Sequence, residues 1–213
     1  KNKSYFKEDF NWFTPGDINE DKILNSSVRH ISKLAIAERK AFLYLPNSIL
    51  ITCIGDIGRV GISKTECASN QQITAINPIP AVDVEYLYYW FKKNKKLLIS
   101  KSNNAVVPIL NNRGLKQIQF RYPPLKTQKH IAGILDDAVA LRDKTQNLLD
   151  EYDALAQSIF LEMFGDPVVN PKGWDLLRFK DVLEIKNGKN QKKVLNPIGK
   201  YPIYGSGGIM NFA

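Results

Sequence analysis

Histidine and cysteine are scarce: the 213 residues include only His30, His130, Cys53 and Cys67 of these two types. Neither histidine stands at metal-ligand spacing from the other or from a cysteine, so no metal site is expected. The cysteines are too far apart for a C-x-x-C motif and read as two buried thiols of a reducing cytosol. No apolar run approaches the ~20 residues that span a bilayer. No signal peptide is visible either, although the chain opens on Lys1, not methionine, and signals ahead of that residue stay open. The expectation is a cytoplasmic protein without a membrane partner.

Catalytic motifs are missing too. There is no G-x-S-x-G, no H-E-x-x-H and no G-x-x-x-x-G-K-[ST]. Gly205-Ser-Gly-Gly208 lacks the lysine of a phosphate loop and reads as a turn. Asp136-Asp137 and Asp150-Glu151 are adjacent carboxylates on a helix. Neighbours in sequence point in different directions there, so they read as solvated faces and not as acid–base pairs. Tyr122-Pro-Pro-Leu125 resembles the N-P-P-Y loop of amino-methyltransferases, but it lacks the amide that would hold the target amino group. No catalytic residue and no bound cofactor is expected.

What the chain does have is positive charge, unevenly spread. It carries 30 Lys and Arg against 21 Asp and Glu, a net charge of +9. Residues 1–125 are net +8, residues 126–166 net −4 and residues 167–213 net +5. A basic excess of this size favours a polyanionic partner. The hydrophobic pattern changes at the same places, which suggests three parts: 1–125, 126–166 and 167–213.

Residues 1–125 read as mixed α and β. Ser48–Ile54 is a β-branched run ending at Gly55, and Gln72–Ile76 alternates into Asn77-Pro78; both predict strands. Val84–Ile99 has helical apolar spacing, with Lys92, Lys93, Lys95 and Lys96 crowding its end. Ile118–Tyr122 predicts a short final strand before Pro123-Pro124. Thr127–Phe164 then holds no proline and one glycine. Ile131, Ile134, Ala138, Leu141, Thr145, Leu148, Tyr152, Leu155 and Ile159 follow a three-four spacing, the seam of a coiled coil. Leu135, Leu149, Ala156 and Met163 widen the stripe. At ~1.5 Å per residue such a helix is roughly 57 Å long, and its apolar face needs a second long helix from this chain or a partner.

The cation run suits phosphate contacts. Amide-rich stretches supply groups that can read bases: Ser69, Asn70, Gln71 and Gln72; Asn103 and Asn104; Asn111 and Asn112, with Arg113 beside them and Arg59 near the glycine turn. Asn and Gln pair with adenine, and Arg pairs with guanine. Each stretch taken singly also fits an ordinary turn.

Three stretches together resemble the specificity subunit of type I restriction–modification systems. Trp12-Phe-Thr-Pro-Gly-Asp-Ile18 is similar to that family's W-x-x-x-x-D-I stretch. Between Ile49 and Pro78, a strand leads to Gly55-Asp-Ile-Gly58, then to Ser69-Asn-Gln-Gln-Ile73, in the family's order. Pro123-Pro-Leu-Lys-Thr-Gln128 followed by His130-Ile-Ala132 resembles the entry to its spacer helix, and is the most specific of the three. Trp174–Gly208 looks like the opening of another recognition domain.

The resemblance implies an α+β chain: a mixed α/β DNA-recognition domain, a long coiled-coil spacer helix, and the incomplete start of a second recognition domain. Set against the family's full subunit, the expectation is a first domain without its opening strands and a second that stops early, as in a middle portion, a split subunit, a fragment or a rearranged half-subunit. The implied role is non-catalytic recognition of half of a split site on double-stranded DNA. Methyltransferase subunits, with S-adenosylmethionine, and a motor–nuclease subunit, with ATP and magnesium, would be the partners. The alternative is a coiled-coil scaffold whose basic domains bind a protein or RNA.

Overall fold

The computed structural model describes residues 3–103, 106–188, 190–196 and 198–213. In chain order the elements are β1 (Phe10–Phe13), β2 (Ile23–Leu24), β3 (Arg29–Ile31), α1 (Lys33–Ala37), β4 (Ser48–Thr52), β5 (Val60–Ser63), β6 (Cys67–Ser69) and β7 (Ile73–Ile76). Next come α2 (Val84–Lys93), α3 (Lys95–Ser100), α4 (Asn112–Lys116), α5 (Leu125–Phe164), α6 (Phe179–Val182), β8 (Pro202–Gly205) and β9 (Gly208–Phe212). Two compact units are present, residues 1–150 and 151–213, the division falling within α5.

The first unit is built around β4. All five of its residues are buried, as its unbroken apolar run requires. It is central in a four-stranded sheet of order β2-β5-β4-β7, antiparallel to both β5 and β7. Side chains alternate across a strand. Ile49 and Ile51 therefore join a core with Val60, Ile62, Leu87, Phe91 and Leu98, while Leu50 joins Phe13, Ile18, Leu24 and Cys67. A second, three-stranded sheet has the order β3-β1-β6, with β1 antiparallel to β3 and parallel to β6. Cys53 and Cys67 are buried free thiols, and burial pushes both thiol pKa values up, which leaves them inert.

The expected helix over Val84–Ile99 is two helices. Asn94 ends α2: its N–H bonds Phe91 and Trp90 carbonyls and its amide bonds Trp90 O at 2.8 Å. The chain then turns, so that Leu98 enters the core alongside Leu87 and Phe91. Ile118–Tyr122 is not a strand, since no strand among the described residues bonds to it; its rings pack instead, Phe120 on Trp90 and on Tyr122.

The long helix is present, over Leu125–Phe164. In the second unit its C-terminal end is capped by the segment Gly165–Trp174. Gly165 adopts φ +78° and its N–H bonds Leu161 O at 2.8 Å. Trp174 Nε1 donates to Phe164 O, and Lys172 Nζ donates to Met163 O. Beyond lie α6 and the β8–β9 hairpin. No helix among the described residues is long and apolar enough to cross a membrane.

Candidate nucleic-acid interface

The residues Cys53–Gly55, just past the end of β4, stitch three loops together. Cys53 N–H bonds Gln72 O at 2.7 Å, Cys53 O accepts from Leu110 N at 2.8 Å, and Gly55 N–H bonds Pro108 O at 3.0 Å. The glycine turn, the Ser69–Gln72 loop and the Asn103–Arg113 stretch thus meet at one end of the four-stranded sheet. They are far apart in sequence and adjacent in space.

Each loop has its own support. Buried Thr52 holds the turn: its hydroxyl bonds Asp56 O and accepts from Arg59 N. Gly55 and Gly58 have φ of +78° and +92°, and a Cβ on Gly58 would sit 2.9 Å from Lys95 Cγ. Glycine there lets α3 approach the turn. Asp56 bridges Arg59 at 2.6 Å and Lys95 at 3.0 Å, and these two cations, Arg59 first, hold its carboxyl below the usual range.

The candidate readers divide by what their side chains already do. Asn70 Oδ1 accepts from Gln72 N, and its Nδ2 donates to Gln72 Oε1 at 3.0 Å, so both amides brace their own loop. Ser69 Oγ contacts Tyr44 OH. Asn103 Oδ1 accepts from Ile109 N at 2.8 Å, and Asn111 caps α4 through Gly114 N. Gln71, Asn112 and Arg113 are exposed. Arg59 also donates to Pro15 O. Asn104 lies outside the described residues. Of the lysines, Lys92 pairs with Glu20 and Lys95 with Asp56, while Lys93 and Lys96 are exposed.

An apolar recess of about 400 Å³ lies beyond β7, walled by Leu87, Trp90, Phe91 and Phe120. Its polar lining is Thr74, Asn112 and Lys116, which makes no acid–base pair. Among the described residues no cluster of His, Cys, Asp or Glu could hold a metal ion.

The long helix meets the domain through residues of its first turns. Gln128 is completely buried and Ala132 nearly so, while Asp136 bonds Lys22 and Tyr89 OH. Asp136 is therefore not part of a solvated face, as the sequence suggests. Burial opposes its charge, but the bonds from Lys22 and Tyr89 outweigh it and hold the carboxyl below its ordinary range. Local sequence gives no signal of this contact, since 114 positions separate Lys22 from Asp136. The seam faces elsewhere. Ile131 is half-buried, and Ile134, Ala138, Leu141, Leu148, Tyr152, Leu155 and Ile159 are exposed.

Residues 1–151 match the family model described as type I restriction modification DNA specificity domain. The chain belongs to that family. This specificity-domain chain is 30% identical over 226 residues to the type I restriction enzyme MjaIX specificity subunit of Methanocaldococcus jannaschii, covering 95% of the chain and 52% of that subunit. It is 27% identical over 157 residues to the EcoBI specificity subunit of Escherichia coli, covering 70% of the chain and 33% of that subunit. It thus spans about half or less of the length of these relatives. A chain from a solved type I R-M system shares the fold, with a TM-score of 0.57 at 16% identity, covering 75% of this chain and 39% of that one.

Proposed function

We propose that this specificity-domain chain reads a short sequence on double-stranded DNA and is not itself an enzyme. The observation that carries the reading is the convergence of three amide- and guanidinium-bearing loops at one sheet end, against the start of α3. Loops on a rigid scaffold can enter a groove without breaking a ladder. Gln71, Asn112 and Arg113 would reach bases, with Lys93 and Lys96 on phosphates. Asn70, Asn103 and Asn111 would hold the loops in shape.

The wider role comes from membership of the family. Residues 1–125 would be one recognition domain, residues 126–166 the spacer helix, and residues 167–213 the opening of a second recognition domain. The exposed seam from Ile131 to Ile159 would pack against a second long helix, from the same subunit or a second copy. Methyltransferase subunits would bring S-adenosylmethionine, and a motor–nuclease subunit would bring ATP and magnesium.

Comparing methylomes of hosts with and without the gene would give the preferred site. Gln71→Ala and Arg113→Ala should each lose about 1–3 kcal/mol on that duplex and little on random DNA. Replacing Lys92, Lys93, Lys95 and Lys96 with Ala should weaken both duplexes alike and flatten the salt slope. Full retention of the preference in both single variants would place the reading surface elsewhere. Absence of salt-dependent binding in the wild type would leave the scaffold reading.

A further inference from the structure

Apolar contact is not directional, but hydrogen bonds are. That distinction matters where α5 leaves the first unit, because the helix rests on the domain by a stripe of Gln128, Ala132 and Asp136, in which Ala132 is the one apolar member. Ile131 beside this stripe is half-buried as well, but the directional part of the contact, which fixes an angle, comes from Gln128 and Asp136.

Gln128 uses its whole amide. Oε1 accepts from Asp83 N at 2.8 Å, and Nε2 donates to Ala81 O at 3.0 Å and Pro123 O at 2.8 Å. Asp83 is itself the N-cap of α2, accepting from Tyr86 N. One buried side chain therefore ties the first turn of α5 to the first turn of α2 and to the turn between domain and helix. Two turns later Asp136 accepts from Lys22 and from Tyr89, which lies on α2. Lys22 also pairs with Glu85 of α2, and Glu85 with Lys64 on the loop after β5. The two attachments are about 12 Å apart along the helix, at ~1.5 Å per residue. Past Asp136 a cleft of about 630 Å³ opens between helix and domain, lined by Tyr88, Lys92, Val139 and Arg142.

Two points define a line. We propose that Gln128 and Asp136 are positioning residues that set the angle at which α5 leaves the recognition domain, and with it the spacing between half-sites. The spacing part rests on the split-site reading above. The leverage is considerable. Asp150 lies about 21 Å beyond Asp136 at ~1.5 Å per residue. A tilt of about 10° at the attachments moves it by about 3.7 Å, roughly the ~3.4 Å rise of one base pair.

The test uses the whole subunit in its assembly, with spin labels on Lys33→Cys and Lys144→Cys, both exposed positions. Buried Cys53 and Cys67 should resist labelling. Electron–electron distance measurements on assemblies diluted with unlabelled subunit, so that one copy carries both labels, should give one narrow peak in the wild type. Gln128→Glu, which keeps the acceptor and loses both donors, and Asp136→Ala should each lose that single peak. Asp136 is the partly exposed attachment, so Asp136→Ala carries the test if Gln128→Glu fails to fold. In parallel, affinity is measured for the mapped site with its native spacer, with one base pair more or fewer, and for a half-site alone. The variants should keep half-site affinity and lose the preference for native spacing. An unchanged distance peak in both variants overturns the proposal. So does a uniform fall in melting temperature and in every affinity, which is the mark of a merely structural role. Lost peaks with no sequence-dependent DNA binding in the wild type would keep the angle-setting role and sink the split-site reading beneath it.

Discussion

The two ends of the chain use apolar residues in opposite ways. Among the described residues, the buried core side chains lie between Phe13 and Ala132. In residues 151–213 the large apolar side chains meet solvent, and Val168, Leu176 and Ile198 are 91%, 87% and 90% exposed. Composition does not explain the difference, since both stretches are rich in Leu, Ile and Val. Layers do. Among the described residues the first unit has two sheets and amphipathic helices to close over β4, whereas the second has one hairpin, and a two-stranded hairpin is marginal alone. The middle of α5 belongs to neither pattern: it is continuously helical, yet its seam is exposed.

That contrast makes Leu148→Asp the substitution of largest expected effect. Leu148 is half exposed in the single chain, so the domain should melt unchanged. If the seam is buried in the assembly, an aspartate there costs several kcal/mol of association. Size-exclusion chromatography with light scattering reads the outcome, and an unaltered assembly would reject the seam.

Next in size comes a matched pair. Leu50→Ala empties a fully buried site and should destabilise by about 2–5 kcal/mol. Leu176→Ala, at an exposed site, should stay within about 0.5 kcal/mol. Denaturant unfolding compares the two directly. Equal losses would mean that Leu176 is covered in the working protein.

The sequence was most legible where one physical pattern dominated. The three-four spacing found α5 because nothing else in the chain competes with it over that length. The apolar run of β4 and the alternation of β7 were readable for the same reason. Ile118–Tyr122 misled because a short apolar and aromatic run makes a strand only when another strand is there to bond it. Asn94 breaks a helix that its apolar spacing would continue, because the turn lets Leu98 reach the core. At the candidate interface, residue types could be listed but not sorted. Asn70 and Gln71 are neighbours with different employment, and only the bonds of Asn70 to Gln72 show it. Charge counting overstated the free cations, since Lys92 and Lys95 have carboxylate partners far away in sequence. The Gln128 and Asp136 attachments were invisible for the same reason of distance.

The smallest expected effect concerns those attachments and acid. The Asp136 carboxyl has a folded pKa below its unfolded value of ~3.9, and Glu85, against Lys22 and Lys64, is likewise lowered from ~4.3. A lowered carboxyl contributes stability above its unfolded pKa and loses it as pH falls through the folded value. Lys22 is raised, so its share is present below the ordinary lysine range and fades only in strong alkali. Between neutrality and pH ~5 the whole network should be intact. Asp136→Asn should therefore cost most near neutrality, and its cost should shrink as pH drops below ~4. The side chain is 43% exposed, which limits the effect to less than about 1 kcal/mol. Glu184, paired with Lys186 in the second unit, is 77% exposed, and Glu184→Gln should leave stability unchanged. Denaturant midpoints across pH 3–7 for the wild type and both variants would decide it. A cost for Asp136→Asn that persists undiminished at pH 3 would show that Asp136 acts through packing and not through its charge.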